Sequence, residues 1–335
     1  MGADDDARTT ANGQERRMAD GEHGERKADG ERGGREAAAR AEVGGREADL
    51  ATDIFVTHRN LLFTVAYELL GSAADAEDVL QETWLKWTGV DLSAVRERRA
   101  YLVRITTRLA LTRLRTLARR RESYVGPWLP EPLLTAPDVA EDVELADSVS
   151  MAMMLVLETL LPTERAVFVL REVFGMEYDE IAAAVDKSPA AVRQIAHRAR
   201  AHVAARRPRG EVSAAETQGV LDAFRTAVET GDLQSLCDLI APDAVLLTDG
   251  GGVVRAALEP VVGADRVIAV LVRITTLGTL RPARINGGPA LIVGTGGETD
   301  TVLALRVDEG LVTGLYAVRN PEKLSRIGQE AVISR

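Results

Sequence analysis

KSPAAVRQIAHRARAHVAARR, Lys187 to Arg207, holds six Lys or Arg residues and no Asp or Glu, in a chain of formal net charge -10. Its spacing is helical. Ser188 suits an N-cap, and Pro189 falls at the first helical position, where its missing N–H costs nothing. Val192, Ile195 and Ala199 form the expected buried stripe, which leaves Arg193, Gln194, His197 and Arg198 outside. Upstream, YDEIAAAV (Tyr178–Val185) is a short helix with Ile181 and Val185 inward, and Asp186-Lys187-Ser188 is a tight turn. A helix, a three-residue turn and a second helix with outward Arg and Gln near its start predict a helix-turn-helix. Arg can fork onto guanine edges and Gln onto adenine. Lys187, Arg200, Arg206 and Arg207 suit phosphate contacts. A solvated basic face on a structural helix is the bland alternative. The capped turn and the small residues Ala182–Ala184 favour DNA over it.

Working outward, SVSMAMMLVLETL (148–160) reads as one helix. LPTERAVFVLREVFG (161–175) reads as another, opened by Pro162 and stopped at Gly175. Further upstream, Ile54, Leu61, Leu62, Val65 and Leu69 mark a helix face ending near Gly71. SAADAEDVLQETWLKW then starts with Ser72 as N-cap and acids in its first turn, with Leu80, Trp84 and Trp87 at i, i+4, i+7. A third helix is expected over Arg98–Arg120, with Tyr101, Leu102, Ile105, Leu109, Leu114 and Leu117 inward. From Arg96 to Arg121 there are ten arginines and one acid, Glu97. Cations that track a backbone, beside aromatics and threonines that can hold unstacked bases, suit single-stranded DNA. A charged surface over an aromatic core is the competing reading of that helix.

Between these blocks lies SYVGPWLPEPLLTAPD (123–138), whose four prolines forbid a long regular element. Trp128, Leu129, Leu133 and Leu134 are too apolar for a passive spacer and are expected to dock. Residues 1–50 are poor in large apolar side chains and read as a disordered tail. The last part, 213–335, changes grammar. It has two helices split at Gly231, a hairpin with its turn at Gly250–Gly252, one more helix, then four alternating runs divided by Gly and Asp. That is an α+β domain, a curved sheet against helices.

The bulk numbers exclude several classes. The 335 residues suggest two or three domains. No run is long and apolar enough for a membrane span or a signal peptide, so a cytoplasmic, membrane-free protein is expected. The single cysteine, Cys237, allows no intramolecular disulfide and is expected to be a buried packing residue. No Cys/His cluster has metal-ligand spacing, and phosphate-loop and nucleophile-elbow motifs are absent, so no cofactor, metal or catalytic residue is assigned.

The order of these blocks resembles an extracytoplasmic-function sigma factor, the promoter-recognition subunit of bacterial RNA polymerase. DAEDVLQETWLKW with RAYLVRITTRLALTRLR resembles sigma region 2, and residues 161–203 resemble region 4. The match is to two all-α domains over 51–122 and 143–208, the second with the helix-turn-helix, joined by the 123–142 linker. No region 3 lies between them. The C-terminal block resembles the fused SnoaL-like domain, a cone-shaped α+β fold, through WLPEPL, DGGG (Asp249–Gly252) and NPEKL (Asn320–Leu324). Where the family's turn usually has Gly and an apolar residue, this chain has Asp186 and Lys187. Asp tolerates left-handed backbone.

This resemblance implies that the polymerase core binds through Asp78, Gln81, Glu82 and Trp84. It implies that Arg98, Arg104, Arg108, Arg113 and Arg115 hold the downstream promoter element. The upstream element then falls to Lys187, Ser188, Arg193, Gln194, His197, Arg198 and Arg200. It implies further that the C-terminal domain regulates in cis through Trp128, Leu129, Pro130, Asp249, Gly250, Gly251, Gly252, Asn320, Pro321, Glu322, Lys323 and Leu324. A small-molecule ligand in the cone is a further expectation of this fold.

Two competitors remain. A conventional helix-turn-helix regulator with a small-molecule-sensing domain would leave the first helical block without a job. A cyclase or isomerase needs a base inside the cone, and no histidine follows His202. Asp249, in a Gly-rich turn, is more simply a turn former.

Overall fold

The computed structural model describes residues 45–121, 123–136, 143–206, 214–275 and 278–334. The chain divides into units 1–54 and 55–335. Of the first, residues 45–54 are helical, so the end of the expected tail is helix; the rest of that tail lies outside the described residues.

The second unit opens in helix α1, here 55–70, followed by α2 (Ala73–Trp87) and α3 (Arg98–Arg121). Ser72 caps α2, accepting from the Asp75 N–H at 3.2 Å, as its sequence predicts. Residues 61–71 are all buried. Of the expected stripe Leu61, Leu62, Val65 and Leu69 are buried and Ile54 is half-buried, but Thr64, Tyr67 and Glu68 are buried as well. A helix covered on every side is enclosed by other segments, and its polar groups must find partners there. In α3 the buried positions are Leu102, Val103, Thr106, Thr107, Ala110, Leu111 and Leu114, while Tyr101, Ile105, Leu109 and Leu117 are half-buried.

The second helical block is α4 (Val143–Val149), α5 (Met151–Glu158), α6 (Pro162–Phe168), α7 (Tyr178–Val185) and α8 (Pro189–Ala204). The single helix expected over 148–160 is broken at Ser150, which caps α5 through the Met153 N–H at 3.2 Å. After α6 the backbone widens into a π turn over Val169–Val173.

The C-terminal domain has α9 (Ala214–Thr230), α10 (Leu233–Leu239), β2 (Ile240–Asp249), β3 (Val261–Val262) and α11 (Ala264–Thr275), then β4 (Thr279–Ile285), β5 (Gly288–Thr295), β6 (Glu298–Asp308) and β7 (Leu311–Val318). A four-residue helix, α12 (Pro321–Leu324), and the tail strand β8 (Glu330–Ala331) follow. The meander β4–β7 is antiparallel as expected, and β2 joins it parallel to β7. The predicted hairpin at Gly250–Gly252 does not form. The chain loops there, and β2 takes only the short β3 as its other neighbour. Cys237 is exposed, because α10 buries only Leu236.

The linker completes the sheet. Its Leu134–Thr135 is strand β1, antiparallel to β4 and parallel to β8, and the order is β3-β2-β7-β6-β5-β4-β1-β8. Both faces of the sheet are covered. On one, Leu221, Phe224, Leu236, Val267 and Leu271 of the C-terminal helices pack against Leu246, Leu291, Leu303 and Leu315. On the other, linker Leu129, Met151 of α5 and tail residues Leu324 and Ile327 pack against Ile285, Ile292, Val302 and Val318.

Candidate functional site

The helix-turn-helix forms as the sequence dictates. Asp186 ends α7 in the left-handed region (φ 57°, ψ 55°), and the Lys187 N–H returns to the Ala182 carbonyl at 3.1 Å. Ser188 Oγ accepts from the Ala191 N–H at 3.2 Å. The buried stripe of α8 is Val192, Ala196, Ala199 and Val203. Ile195, expected inside, is half-buried. Lys187, Ser188, Arg193, Gln194, His197, Arg198 and Arg200 are all exposed. The Arg193 guanidinium lies over the Tyr178 ring at 5.4 Å. Arg198 and Arg200 have only loose ion pairs, 3.9 Å to Glu164 and 3.6 Å to Glu172. Arg206 is a turn residue past α8, and Arg207 lies outside the described residues.

The positions expected to face the polymerase and the downstream element behave unevenly. Asp78, Gln81 and Glu82 are exposed on α2, and Trp84 is half-buried against Phe55 at 5.1 Å between ring centroids. Arg115 is exposed, and Arg98 is half-buried. Arg104 stacks over Tyr101 at 4.5 Å. Arg113 is half-buried and pairs with α2, its Nε 2.7 Å from Asp75 and its Nη2 2.5 Å from Asp78. It thus joins α3 to α2 beside a cleft of about 300 Å³ lined by Val79, Glu82, Leu109, Thr112 and Thr116. Arg108 Nη2 donates to the Ala183 carbonyl of α7 at 2.8 Å, so the helix-turn-helix packs along α3.

The three short motifs of the linker, loop and tail meet at one point. Asp249 is fully buried. Its Oδ2 accepts from the Leu129 N–H at 2.9 Å and from Lys323 Nζ at 2.7 Å. Its Oδ1 accepts from Tyr124 Oη at 2.6 Å and the Gly251 N–H at 3.0 Å. Lys323 also donates to the Leu129 carbonyl and lies 4.1 Å over the Trp128 ring and 5.0 Å over Tyr124. Asn320 Nδ2 donates to Tyr124 Oη at 2.9 Å. Gly251 (φ 64°) faces that Asn320 amide so closely that a Cβ would collide with it. Gly250 and Gly252 continue the loop, the latter against Val125. Burial, then the Asp249 carboxylate beside it, push the Tyr124 phenol well above its ordinary range. Leu129, Pro130 and Leu324 are buried, whereas Pro321 and Glu322 are exposed at the first turn of α12.

Three linker and domain residues that sequence reading passed over carry contacts of equal weight. Glu131 of WLPEPL is buried, and its Oε2 accepts from the Ala73 and Ala74 N–H groups at 2.8 and 3.2 Å. It therefore shares the capping of α2 with Ser72. Burial pushes its carboxyl upward, and the helix N–H groups oppose that. Tyr124 bridges the loop and tail motifs. Asn286, in the β4–β5 turn, was signalled only by its Asn-Gly dipeptide, a hairpin mark.

Buried polar pairs also join the two helical blocks directly. Ser148 Oγ donates to Glu68 Oε1 at 2.8 Å, and Arg165 Nε to the Glu68 carbonyl at 2.7 Å. Arg165 is salt-bridged to Glu158. Burial pushes the Glu68 carboxyl up to about 8 and the Arg165 guanidinium down to about 9.

Among the described residues no helix is long and apolar enough to cross a membrane, and no cluster of His, Cys, Asp and Glu could hold a metal. Residues 54–120 match the family Sigma-70 region 2, and residues 150–203 match Sigma-70, region 4. The chain is 34% identical over 289 residues to the ECF RNA polymerase sigma factor SigJ of Mycobacterium tuberculosis, covering 81% of this chain and 92% of the relative. It is 31% identical over 281 residues to the probable ECF RNA polymerase sigma factor SigI of the same species, covering 82% and 94%. The crystal structure of M. tuberculosis SigJ superposes with a TM-score of 0.67 at 31% identity, over 82% of this chain and 98% of that one. By sequence over most of its length, and by the arrangement of both helical blocks with the C-terminal sheet, the chain belongs to the extracytoplasmic-function RNA polymerase sigma factors.

Proposed function

We propose that this sigma factor directs core RNA polymerase to promoters and that its C-terminal domain restrains it in cis. In this reading the exposed face of α2 meets the core, α3 holds the opened downstream element, and α8 reads the upstream element as duplex. The observation that carries the restraint is the buried Asp249 carboxylate, which takes the linker's Leu129 N–H and the tail's Lys323 ammonium on one oxygen. Loop, linker and tail close on each other there, while α7 lies along α3. With regions 2 and 4 packed together, the two promoter elements cannot be spanned at once. A tethered restraint works at high effective concentration, so each contact can be modest and still hold. Activation is then a shift toward an open arrangement in which the linker has left the sheet.

Regulation by contacts, rather than catalysis, also fits the C-terminal domain. Leu221, Phe224, Leu291, Leu303 and Leu315 fill the space between its helices and sheet. The test is transcription in vitro with core polymerase on genomic DNA, mapping new 5′ ends, for the full chain and a chain ending at Val318. Specific starts that strengthen on truncation support both halves of the proposal. Equal activity from the two would remove the tail as a restraint, and an absence of specific starts from either would remove the sigma assignment.

A further inference from the structure

Asn286 is 1% exposed and stands at the tip of the β4–β5 hairpin with φ 53°. Its side chain reaches three other segments. Nδ2 donates to Tyr67 Oη of α1 at 2.7 Å and to the Val149 carbonyl at the end of α4 at 2.7 Å. Oδ1 accepts from the linker Leu133 N–H at 2.9 Å. The Asn286 N–H returns to the Leu133 carbonyl at 2.9 Å, and Tyr67 Oη donates in turn to the Glu131 carbonyl at 2.7 Å. One amide of the C-terminal domain thus joins region 2, the helical block that carries region 4, and the linker.

The Asp249–Lys323 site does something narrower. Among the described residues, the hydrogen bonds of Asp249 run to the linker, its own loop and the tail. Asn286 is also the side chain that fits its post. It has two donors and an acceptor on a short stem, all three used, and it adopts left-handed backbone more readily than other non-glycine residues. A buried polar junction whose every member is satisfied specifies one arrangement, because any slip between the segments leaves buried donors or acceptors unpaired.

We propose that Asn286 is the positioning residue through which the C-terminal domain sets regions 2 and 4 in the closed arrangement. This rests on the reading of the domain as a restraint in cis.

The test uses the full chain with Cys237→Ser and spin labels on cysteines at Lys86 and Ala201, two exposed positions on α2 and α8. Asn286→Gly keeps the left-handed turn and deletes the amide. Asn286→Asp keeps the acceptor for Leu133 but replaces the donor to Tyr67 Oη and the Val149 carbonyl by a carboxylate oxygen, which can only accept. Both should add a longer-distance population, lowering the closed-to-open ratio about tenfold or more, which corresponds to about 1.4 kcal/mol. Initiation with core polymerase should rise in step. Tyr67→Phe added to Asn286→Gly should have less effect than it has alone. Asp249→Asn is measured in parallel. A single unchanged distance in the Asn286 variants, with opening in Asp249→Asn, overturns the role of Asn286 and leaves the restraint standing. No opening in any variant overturns the restraint itself. A lower unfolding temperature with one unchanged distance makes Asn286 a stabilising residue only and also overturns the proposal.

Discussion

Lys323 Nζ lies 2.7 Å from Asp249 Oδ2, with the carboxylate wholly buried and the lysine side chain 12% exposed. Two buried charges held together are weak evidence of net stability, but removing one strands the other. Lys323→Met should therefore cost the closed arrangement about 3–5 kcal/mol, and Asp249→Asn in the same chain should recover part of that loss. Denaturant unfolding of the full chain measures the cost, and initiation with core polymerase should rise in Lys323→Met. Additive losses in the double variant would mean that the two residues act separately.

Gly71 ends α1 at φ 68°, and a Cβ there would sit 2.6 Å from Trp128 Cη2. The linker tryptophan uses that open patch, and the Glu131 N–H bonds the Gly71 carbonyl at 2.9 Å. Gly71→Ala should destabilise the chain by about 1–3 kcal/mol, through backbone strain and displacement of Trp128 together. In a Trp128→Ala background only the backbone part, about 1–2 kcal/mol, should remain. Equal losses in the two backgrounds would separate Trp128 from the effect.

The helix-turn-helix was legible because all its determinants are local. The Ser188 cap, Pro189, the apolar period of α8 and the turn at Asp186 lie within a few residues of one another. The contacts between linker, loop and tail were legible only in part. WLPEPL, DGGG and NPEKL could be picked out by resemblance, but nothing local says that Asp249 would take both Leu129 and Lys323. Strand β1 is two residues between prolines, and its ladder partners, Ile285 and Glu330, lie far along the chain. Tyr67 and Glu68 lie outside the apolar stripe that the sequence marks on α1. They are buried because region 4, the linker and the C-terminal hairpin close over that side, a tertiary fact without a periodic signature. Arg113 illustrates the reverse case. The resemblance gives this cation of an Arg-rich helix to DNA, and in this arrangement two acids of α2, Asp75 and Asp78, pair with it, which no local pattern signals.

Glu68 gives the assembly a dependence on pH. Burial raises its carboxyl from an ordinary value near 4.5 to about 8, against the opposing pull of Ser148 and Arg165. The closed form therefore carries one more proton than a form with Glu68 in water, between those two values. Below about 4.5 both forms are protonated and the group contributes nothing. Raising the pH through the window disfavours the closed form by about 1.4 kcal/mol per unit, and the loss is complete above about 8. The unfolding temperature of the full chain should fall between pH 5.5 and 8.5. Glu68→Gln should flatten that profile and be the more stable protein at pH 8. Parallel profiles for the two proteins would mean that Glu68 is ionised in the closed form.

The outward face of α8 stays open while α3 is packed against α7, so the two DNA surfaces should separate by mutation in the free protein. Arg193 and Gln194 sit in the first turns of the recognition helix, where forked contacts to base edges form. Their alanine variants should each lose about 1–3 kcal/mol of discrimination between upstream duplexes. Lys187 and Arg200 suit phosphates. Lys187→Ala and Arg200→Ala should weaken all duplexes alike and lower the slope of log affinity against log salt by about 1 each. Fluorescence anisotropy on duplexes selected from a random pool, at several salt concentrations, reads both quantities. Arg113→Ala should leave this binding unchanged and lower the unfolding temperature instead, because its partners are Asp75 and Asp78. Weaker binding of single-stranded downstream-element DNA by the complex of core polymerase with Arg113→Ala, in a chain that still unfolds at the parental temperature, would return Arg113 to the DNA surface.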